Sequence, residues 1–390
     1  MPERSVPVYY LLSIIMTELL CTECGAKYSP SSPIWKCECG GLLDVEHSEF
    51  FKIRDLADRD CNMWRYREAI PVDADSNIIS LDEGFTPLTK LQINNREVYF
   101  KQEHLFPTGS FKDRGASVLL SKVKELEIGK IVEDSSGNAG AAVAAYAASA
   151  GVECKIFVPE YTGEAKLAQI KLYGAELMRV SGSREDTAAA ALVAAEESYY
   201  AGHSWNPFFL HGTKTFAYEI AEQLGWSAPD ALVLPVGNGT LLLGAYIGFS
   251  ELQNHGITER MPKLVGVQAE RCAPLYKSFR EGSDVTDYYN AKKTIAEGVT
   301  VANPVRARQI LDAVRTTGGF FATVTEEEIT ESLKKMLKTG YLIEPTAAVA
   351  VAGTTKYLSQ HHEDELIVSV FTGHGLKAAG KIHKLVKEEI

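Results

Sequence analysis

The chain has 390 residues, which at about 150 per domain predicts two or three domains with a real core and no need of disulfide staples. Apolar residues make up 45% and charged residues 23%, while 40 Lys plus Arg against 51 Asp plus Glu leave a net charge of −11. That balance argues against a general nucleic-acid binder but leaves room for a locally positive pocket.

The longest apolar stretch, Val6–Met16, falls short of the roughly 18 to 20 residues that cross a bilayer, and Tyr9, Tyr10 and Ser13 interrupt it. Arg4 is its only basic flank and Glu3 offsets it, so the basic start of a signal peptide is missing. Residues 1–15 read as an N-terminal extension, with Met16 as an alternative start. The protein reads as cytoplasmic, with no membrane partner.

The first predicted element is a zinc-ribbon-like segment over residues 16–50. Cys21-Thr-Glu-Cys24-Gly is followed by Cys37-Glu-Cys39-Gly40. Four thiolates satisfy a tetrahedral zinc ion, and the glycines after Cys24 and Cys39 permit the tight turns that bring paired sulfurs together. With no His and no open position, the set predicts a structural metal. Cys61, Cys154 and Cys272 are isolated and read as small buried apolar residues.

From about residue 80 the pattern alternates. Apolar strand-like runs fall at Glu97–Lys101, Lys130–Glu133, Cys154–Pro159, Leu177–Val180, Ala231–Val236, Leu264–Gln268 and Leu366–Phe371. Helical patterns fall at Ala139–Ala150, Glu164–Tyr173, Thr187–Tyr199, Thr240–Leu252 and Thr325–Leu337. Strands apolar on both faces and separated by helices predict parallel sheets of the α/β class.

In such sheets ligands bind beyond the carboxyl ends of strands, where helix N-termini offer free N–H groups. Three strand ends carry unusual residues. Ser135-Ser136-Gly137-Asn138-Ala139 forms a loop able to hold a carboxylate, although an N-cap alone also uses such residues. Gly237-Asn238-Gly239-Thr240 reads as a phosphate cup, since it matches neither the dinucleotide fingerprint nor the P-loop. Thr372-Gly373-His374-Gly375 follows the last strand, and its hydroxyl can bond a ring nitrogen without imposing a charge. Upstream, Gly109-Ser110-Phe111-Lys112-Asp113 places a lysine at a helix start, where the dipole lowers its pKa and suits it to Schiff-base chemistry.

Together with Glu83-Gly84-Phe-Thr86-Pro87-Leu88, Trp205-Asn206-Pro207 and Glu344-Pro345-Thr346, these segments resemble the pyridoxal-phosphate enzymes of the tryptophan synthase β family, or fold type II. The nearest match there is the threonine synthases that carry a zinc ribbon. The resemblance implies two parallel-sheet α/β domains, with a catalytic core over 51–390 and a smaller subdomain at about 110–215 inserted in the larger one. It implies pyridoxal 5'-phosphate on Lys112, with Asn138 on its ring oxygen, Thr372 on its ring nitrogen and Gly237, Asn238, Gly239 and Thr240 on its phosphate. Ser135, Ser136 and Ala139 would receive the carboxylate of an amino-acid substrate, and Asn206 with Lys214 a substrate phosphate. The implied reaction turns O-phospho-L-homoserine and water into L-threonine and phosphate, in a homodimer.

Some features depart from that pattern. The loop reads Ser136-Gly-Asn-Ala139 where threonine synthases typically carry a Thr, and Thr294-Ile-Ala-Glu297-Gly298 is closer to serine/threonine dehydratases. The alternatives are cysteate synthesis, a dehydratase-like lyase, or a zinc-ribbon interaction protein on a degenerate scaffold.

Overall fold

The computed structural model describes residues 17–285, 289–361 and 364–387, so the N-terminal extension and Met16 lie outside the described residues. Strands β1 (Thr17–Cys21), β2 (Lys27–Tyr28) and β3 (Leu43–His47) make an antiparallel sheet in the order β2-β1-β3. Alternation along β1 and β3 turns Leu19, Cys21, Leu43 and Val45 inward, where they pack on Met63, Trp64, Val118 and Phe208 of the rest of the chain. Cys154 and Cys272 are buried as expected, but Cys61 is exposed.

The next pair, β4 (Leu88–Ile93) and β5 (Arg96–Lys101), is a hairpin turned by Asn94 and Asn95, both at positive φ, as a tight two-residue turn requires. Then follow α1 (Lys112–Glu125), β6 (Lys130–Glu133), α2 (Asn138–Ala150), β7 (Glu153–Pro159), α3 (Glu164–Leu172), β8 (Glu176–Val180), α4 (Arg184–Ala194) and β9 (Tyr199–Tyr200). These four strands form a parallel sheet ordered β8-β7-β6-β9.

Helices α5 (Pro207–Thr213) and α6 (Thr215–Gln223) lead back to β10 (Ala231–Pro235), α7 (Thr240–Asn254), β11 (Lys263–Ala269), α8 (Pro274–Glu281), α9 (Ala307–Thr316), β12 (Phe320–Val324), α10 (Glu326–Lys338), α11 (Pro345–Leu358), β13 (Ile367–Val370) and α12 (Ala379–Lys387). The third sheet is ordered β12-β11-β10-β13-β5-β4 and is parallel except for the β4 edge. Residues of β10 alternate between two buried clusters, Leu232 and Leu234 on one face and Val233 on the other. That is why its sequence is apolar throughout.

One expected helix shifts. Thr187–Tyr199 is in fact α4, which begins at Arg184 behind a capping box in which Ser183 and Asp186 satisfy each other's backbone N–H. Tyr199 is not helical: with Tyr200 it forms β9, paired to Ile131 and Val132 of β6.

Candidate active site

Lys112 is the first residue of α1, at the end of a loop held against the turn after β13. Phe111 N donates to the Thr372 carbonyl at 3.1 Å, and His374 N donates to the Gly109 carbonyl at 2.9 Å. Below it, Arg114 is fully buried between Glu103 and Glu219, donating to both in two-pronged contacts of 2.6 to 2.8 Å. Lys101 Nζ also meets Glu219 at 2.7 Å, so this network anchors the helix start. The Lys112 amine donates to Thr240 Oγ1 at 3.1 Å and lies 4.7 Å from the Phe111 ring centre and 5.7 Å from that of Phe209. Loss of water lowers its pKa to about 8, against the opposing pull of Glu133 and Glu344.

The three strand ends converge on this amine. After β6, Ser135–Asn138 line a half-buried loop that opens α2, and Ala139 is buried behind them. Gly140 allows the loop to close, since a Cβ there would sit 1.8 Å from the Ser135 carbonyl oxygen. Asn138 Nδ2 donates to the two carboxylate oxygens of Glu344 at 3.1 and 3.0 Å. Burial raises the Glu344 pKa, while the Asn138 bond and the Lys377 charge restrain it.

After β10, Gly239 has φ 73 and caps α7, whose first residue is Thr240; a Cβ on it would meet Ile310 at 2.3 Å. A Cβ on Gly237 would meet the Gly298 carbonyl at 2.7 Å. After β13, Thr372 Oγ1 is buried and completes no hydrogen bond, although its hydroxyl stands near enough to Glu344 to favour the charged carboxylate. The neighbouring Ser110 hydroxyl is likewise buried without a partner.

Two expected site residues are not brought to the cleft. Lys214 is wholly buried at the junction of α5 and α6, where its ammonium donates to Glu251 Oε1 at 2.8 Å. Asn206 caps α5, accepting from Phe208 N at 3.2 Å and donating to Tyr199 Oη at 2.7 Å. The apolar packing of α5 draws both into the interior, so neither polar group is available to a substrate phosphate.

Other residues emerge only from the fold. Glu133, the last residue of β6, is wholly buried and meets His203 Nδ1 at 3.0 Å, while His203 Nε2 lies 3.1 Å from Asn238 Nδ2. Asp113 closes the lysine loop by accepting from the Thr108 backbone N–H at 2.8 Å, and burial raises its pKa to about 7. A carboxylate directly after the buried pair Ile131 and Val132 was the available sign for Glu133; nothing local marks His203.

At the far end, Cys21, Cys24, Cys37 and Cys39 bring their sulfurs within 4.8 Å of one another. Gly25 (φ 71) and Gly40 (φ 87) take the left-handed turns that the pairing needs. The small sheet that carries the cluster is tied to the rest of the chain through β3. Arg306 donates to Asp44 and the Leu43 carbonyl of β3 and also to the Ser204 and Trp205 carbonyls, at 2.7 to 3.0 Å.

Comparison with known proteins agrees with this geometry. A family model described as pyridoxal-phosphate dependent enzyme matches residues 79–373. The threonine synthase of Methanocaldococcus jannaschii is 39% identical over 374 residues, covering 92% of each chain. That of Methanosarcina acetivorans is 36% identical, covering 93% of this chain and 92% of its own. Among solved structures, serine racemase from Dictyostelium discoideum superposes with a TM-score of 0.65 at 27% identity, over 75% of this chain and 92% of that one. The cleft residues suit the cofactor: an amine held near neutrality, a buried hydroxyl still lacking a partner, and a glycine turn at a helix start where a larger side chain would crowd Ile310 or the Gly298 carbonyl. The chain belongs to the pyridoxal-phosphate-dependent enzymes, as a lyase on the fold type II α/β scaffold that its alternation of strands and helices predicts.

Proposed function

We propose that the protein converts O-phospho-L-homoserine and water into L-threonine and phosphate. The observation that carries this reading is the identity of 39% to a threonine synthase over 92% of both chains, a span too long to leave out the cleft. When bound, pyridoxal phosphate supplies an electron sink for negative charge on the substrate carbons.

The chain's own residues do the rest. Lys112 holds the cofactor and then carries protons at the substrate's α and β carbons, a task suited to an amine with a pKa of about 8 near neutral pH. Asn138 bonds the cofactor's ring oxygen, and Thr372 offers its unpartnered hydroxyl to the ring nitrogen without charging it. Gly237, Asn238, Gly239 and Thr240 hold the cofactor phosphate with backbone N–H groups and the α7 dipole. Ser135, Ser136 and the α2 N-terminus beside Ala139 receive the substrate carboxylate. The four cysteines hold a structural zinc ion, which four thiolates in one cluster fit.

A second reading has one observation in its favour. With Lys214 committed to Glu251, the cation expected to meet a second phosphate is absent from the cleft, which favours elimination from unphosphorylated serine or threonine. A substrate panel separates the two. The holoenzyme should release threonine and phosphate from phosphohomoserine, and only weakly form oxo-acid and ammonia from serine or threonine. The reverse pattern would move the protein to the dehydratase reading, and cysteate from phosphoserine and sulfite to the third.

A further inference from the structure

Glu344 stands at a helix start yet does not serve it. It precedes Pro345 at the beginning of α11, and its side chain makes no capping bond to that helix. Its carboxylate instead reaches from the β13 side of the cleft to Asn138, the first residue of α2 and 206 positions away. Asn138 Nδ2 donates to its two oxygens at 3.1 and 3.0 Å. Gly373 makes the room for this, since a Cβ there would sit 2.3 Å from Glu344 Oε1. The Glu344 backbone is fixed against the same glycine, its N–H donating to the Gly373 carbonyl at 2.9 Å. A buried carboxylate is thus seated on the turn after β13 and aimed at one side-chain amide of the loop after β6.

We propose that Glu344 is a positioning residue, which fixes the Asn138 amide with one N–H on its carboxylate and the other free for the cofactor's ring oxygen. The inference rests on the reading of Asn138 as the partner of that oxygen. The orientation is the one in the structure, with Nδ2 towards the carboxylate and Oδ1 turned away. Donor chemistry requires it, because an ionised carboxylate can only accept. The α11 dipole favours negative charge at this end of the helix. Burial raises the Glu344 pKa, while the Asn138 N–H, the Lys377 ammonium, the Thr372 hydroxyl and the Lys112 ammonium each favour the ionised form.

The two oxygens belong to one group and lie close together, whereas the hydrogens of an amide N–H2 diverge. The carboxylate therefore takes one and leaves the second. Without Glu344 the amide is free to exchange its oxygen and nitrogen by a half-turn. An orientation that sets Oδ1 against a negatively charged ring oxygen then becomes accessible.

The test reads the bound cofactor rather than turnover. Apoprotein is titrated with pyridoxal phosphate, and the visible absorption band of the bound cofactor is recorded, because that band responds to charge at the ring oxygen. Asn138→Ala should move the band and weaken binding by roughly ten- to a hundredfold, the range of one hydrogen bond to a charged group. Glu344→Ala and the larger, non-accepting Glu344→Leu should move the band the same way. Each should weaken binding by roughly tenfold, and by no more than Asn138→Ala does. Glu344→Gln keeps an accepting oxygen and should restore the parent band, with affinity within about threefold of the parent. Glu344→Leu combined with Asn138→Ala should be no weaker than Asn138→Ala alone, because both remove one interaction. If Glu344→Ala fails to fold, Glu344→Leu and Glu344→Gln still decide. A parent-like band and affinity for Glu344→Leu beside a weakened Asn138→Ala would overturn the positioning role alone. So would additive losses in the double variant, or a Glu344→Gln as impaired as Glu344→Leu. Parent-like binding by Asn138→Ala would overturn the ring-oxygen reading and the proposal with it.

Discussion

Lys112 concentrates the chemistry because its amine has few polar neighbours: one hydroxyl, from Thr240, and the charges of Glu133 and Glu344 at longer range. Its folded pKa of about 8 lies below the ordinary 10.5 because burial penalises the charged form. Apoprotein should therefore capture pyridoxal phosphate at a rate that rises with pH to a midpoint near 8, whereas a midpoint near 10.5 would mean a solvated lysine. The same shift has a sign for stability. Between about 8 and 10.5 the unfolded chain binds more protons at this group, so its contribution to stability rises with pH across that window and costs most below it. Lys112→Ala should lower turnover by roughly 10²- to 10⁴-fold or more with little change in melting temperature. The lysine and the three glycine- and serine-rich turns were readable from sequence because each is a local run at a strand or helix end. Glu133 and His203 were not: their contact joins residues 70 positions apart, and only the β6–β9 pairing brings them together. The burial of Lys214 was not readable because it depends on α5 packing against the ribbon and α7, which no local pattern reports.

Each element that carries a site residue is anchored from behind. The start of α1 rests on Arg114, whose guanidinium neutralises Glu103 and Glu219 in a wholly buried network. Arg114→Ala leaves Glu219 with Lys101 and Glu103 with the Thr86 hydroxyl, and should cost about 3 to 5 kcal/mol in a denaturant titration; a loss below about 1 kcal/mol would show the network to be incidental. The ribbon is anchored as well, through Arg306 and through Trp35, whose ring lies 4.7 Å from that of Tyr200 and 5.5 Å from that of Trp205. No site motif lies in the ribbon, so the sequence alone would have metal loss affect the cleft less than the N-terminal segment. These contacts lead to the loop that carries His203 and predict an effect on the cleft as well. Cys24→Ser with Cys39→Ser should abolish binding of about one zinc per chain, lower the melting temperature and weaken pyridoxal phosphate binding several-fold. Unaltered cofactor affinity in a metal-free, folded variant would confine the ribbon to local stability. The seven predicted runs fall within a residue or two of β5, β6, β7, β8, β10, β11 and β13, because burial makes those strands continuous apolar runs. Strand β12, with only Phe321 and Val324 buried, was not predicted. The β4 edge, half exposed as Leu-Thr-Lys-Leu-Gln-Ile, carries no such signal, and β9 was absorbed into the tail of an alanine-rich helical pattern.

At the scale of the molecule, the two sheets share one cleft. The four-stranded sheet contributes the end of β6, and the six-stranded sheet contributes the ends of β10 and β13, so neither holds a complete site. Glu297 spans the two parts, pairing with Lys166 of α3 at 2.9 Å and with Lys381 of α12 at 2.7 Å. A chain of net charge −11 gathers its anion donors as backbone N–H groups and hydroxyls at helix starts, and spends its buried cations on carboxylates. The α/β class followed from the alternation of patterns, but the crossing of β10 between β11 and β13, which creates the cleft, is a matter of topology. The claim on which everything else depends is that these three strand ends surround a cofactor-bearing Lys112. Borohydride reduction of the holoenzyme, followed by proteolysis and mass spectrometry, tests it directly. The account predicts one reduced pyridoxyl group per chain, on Lys112. A pyridoxyl group on any other lysine, or none retained after reduction, would contradict it.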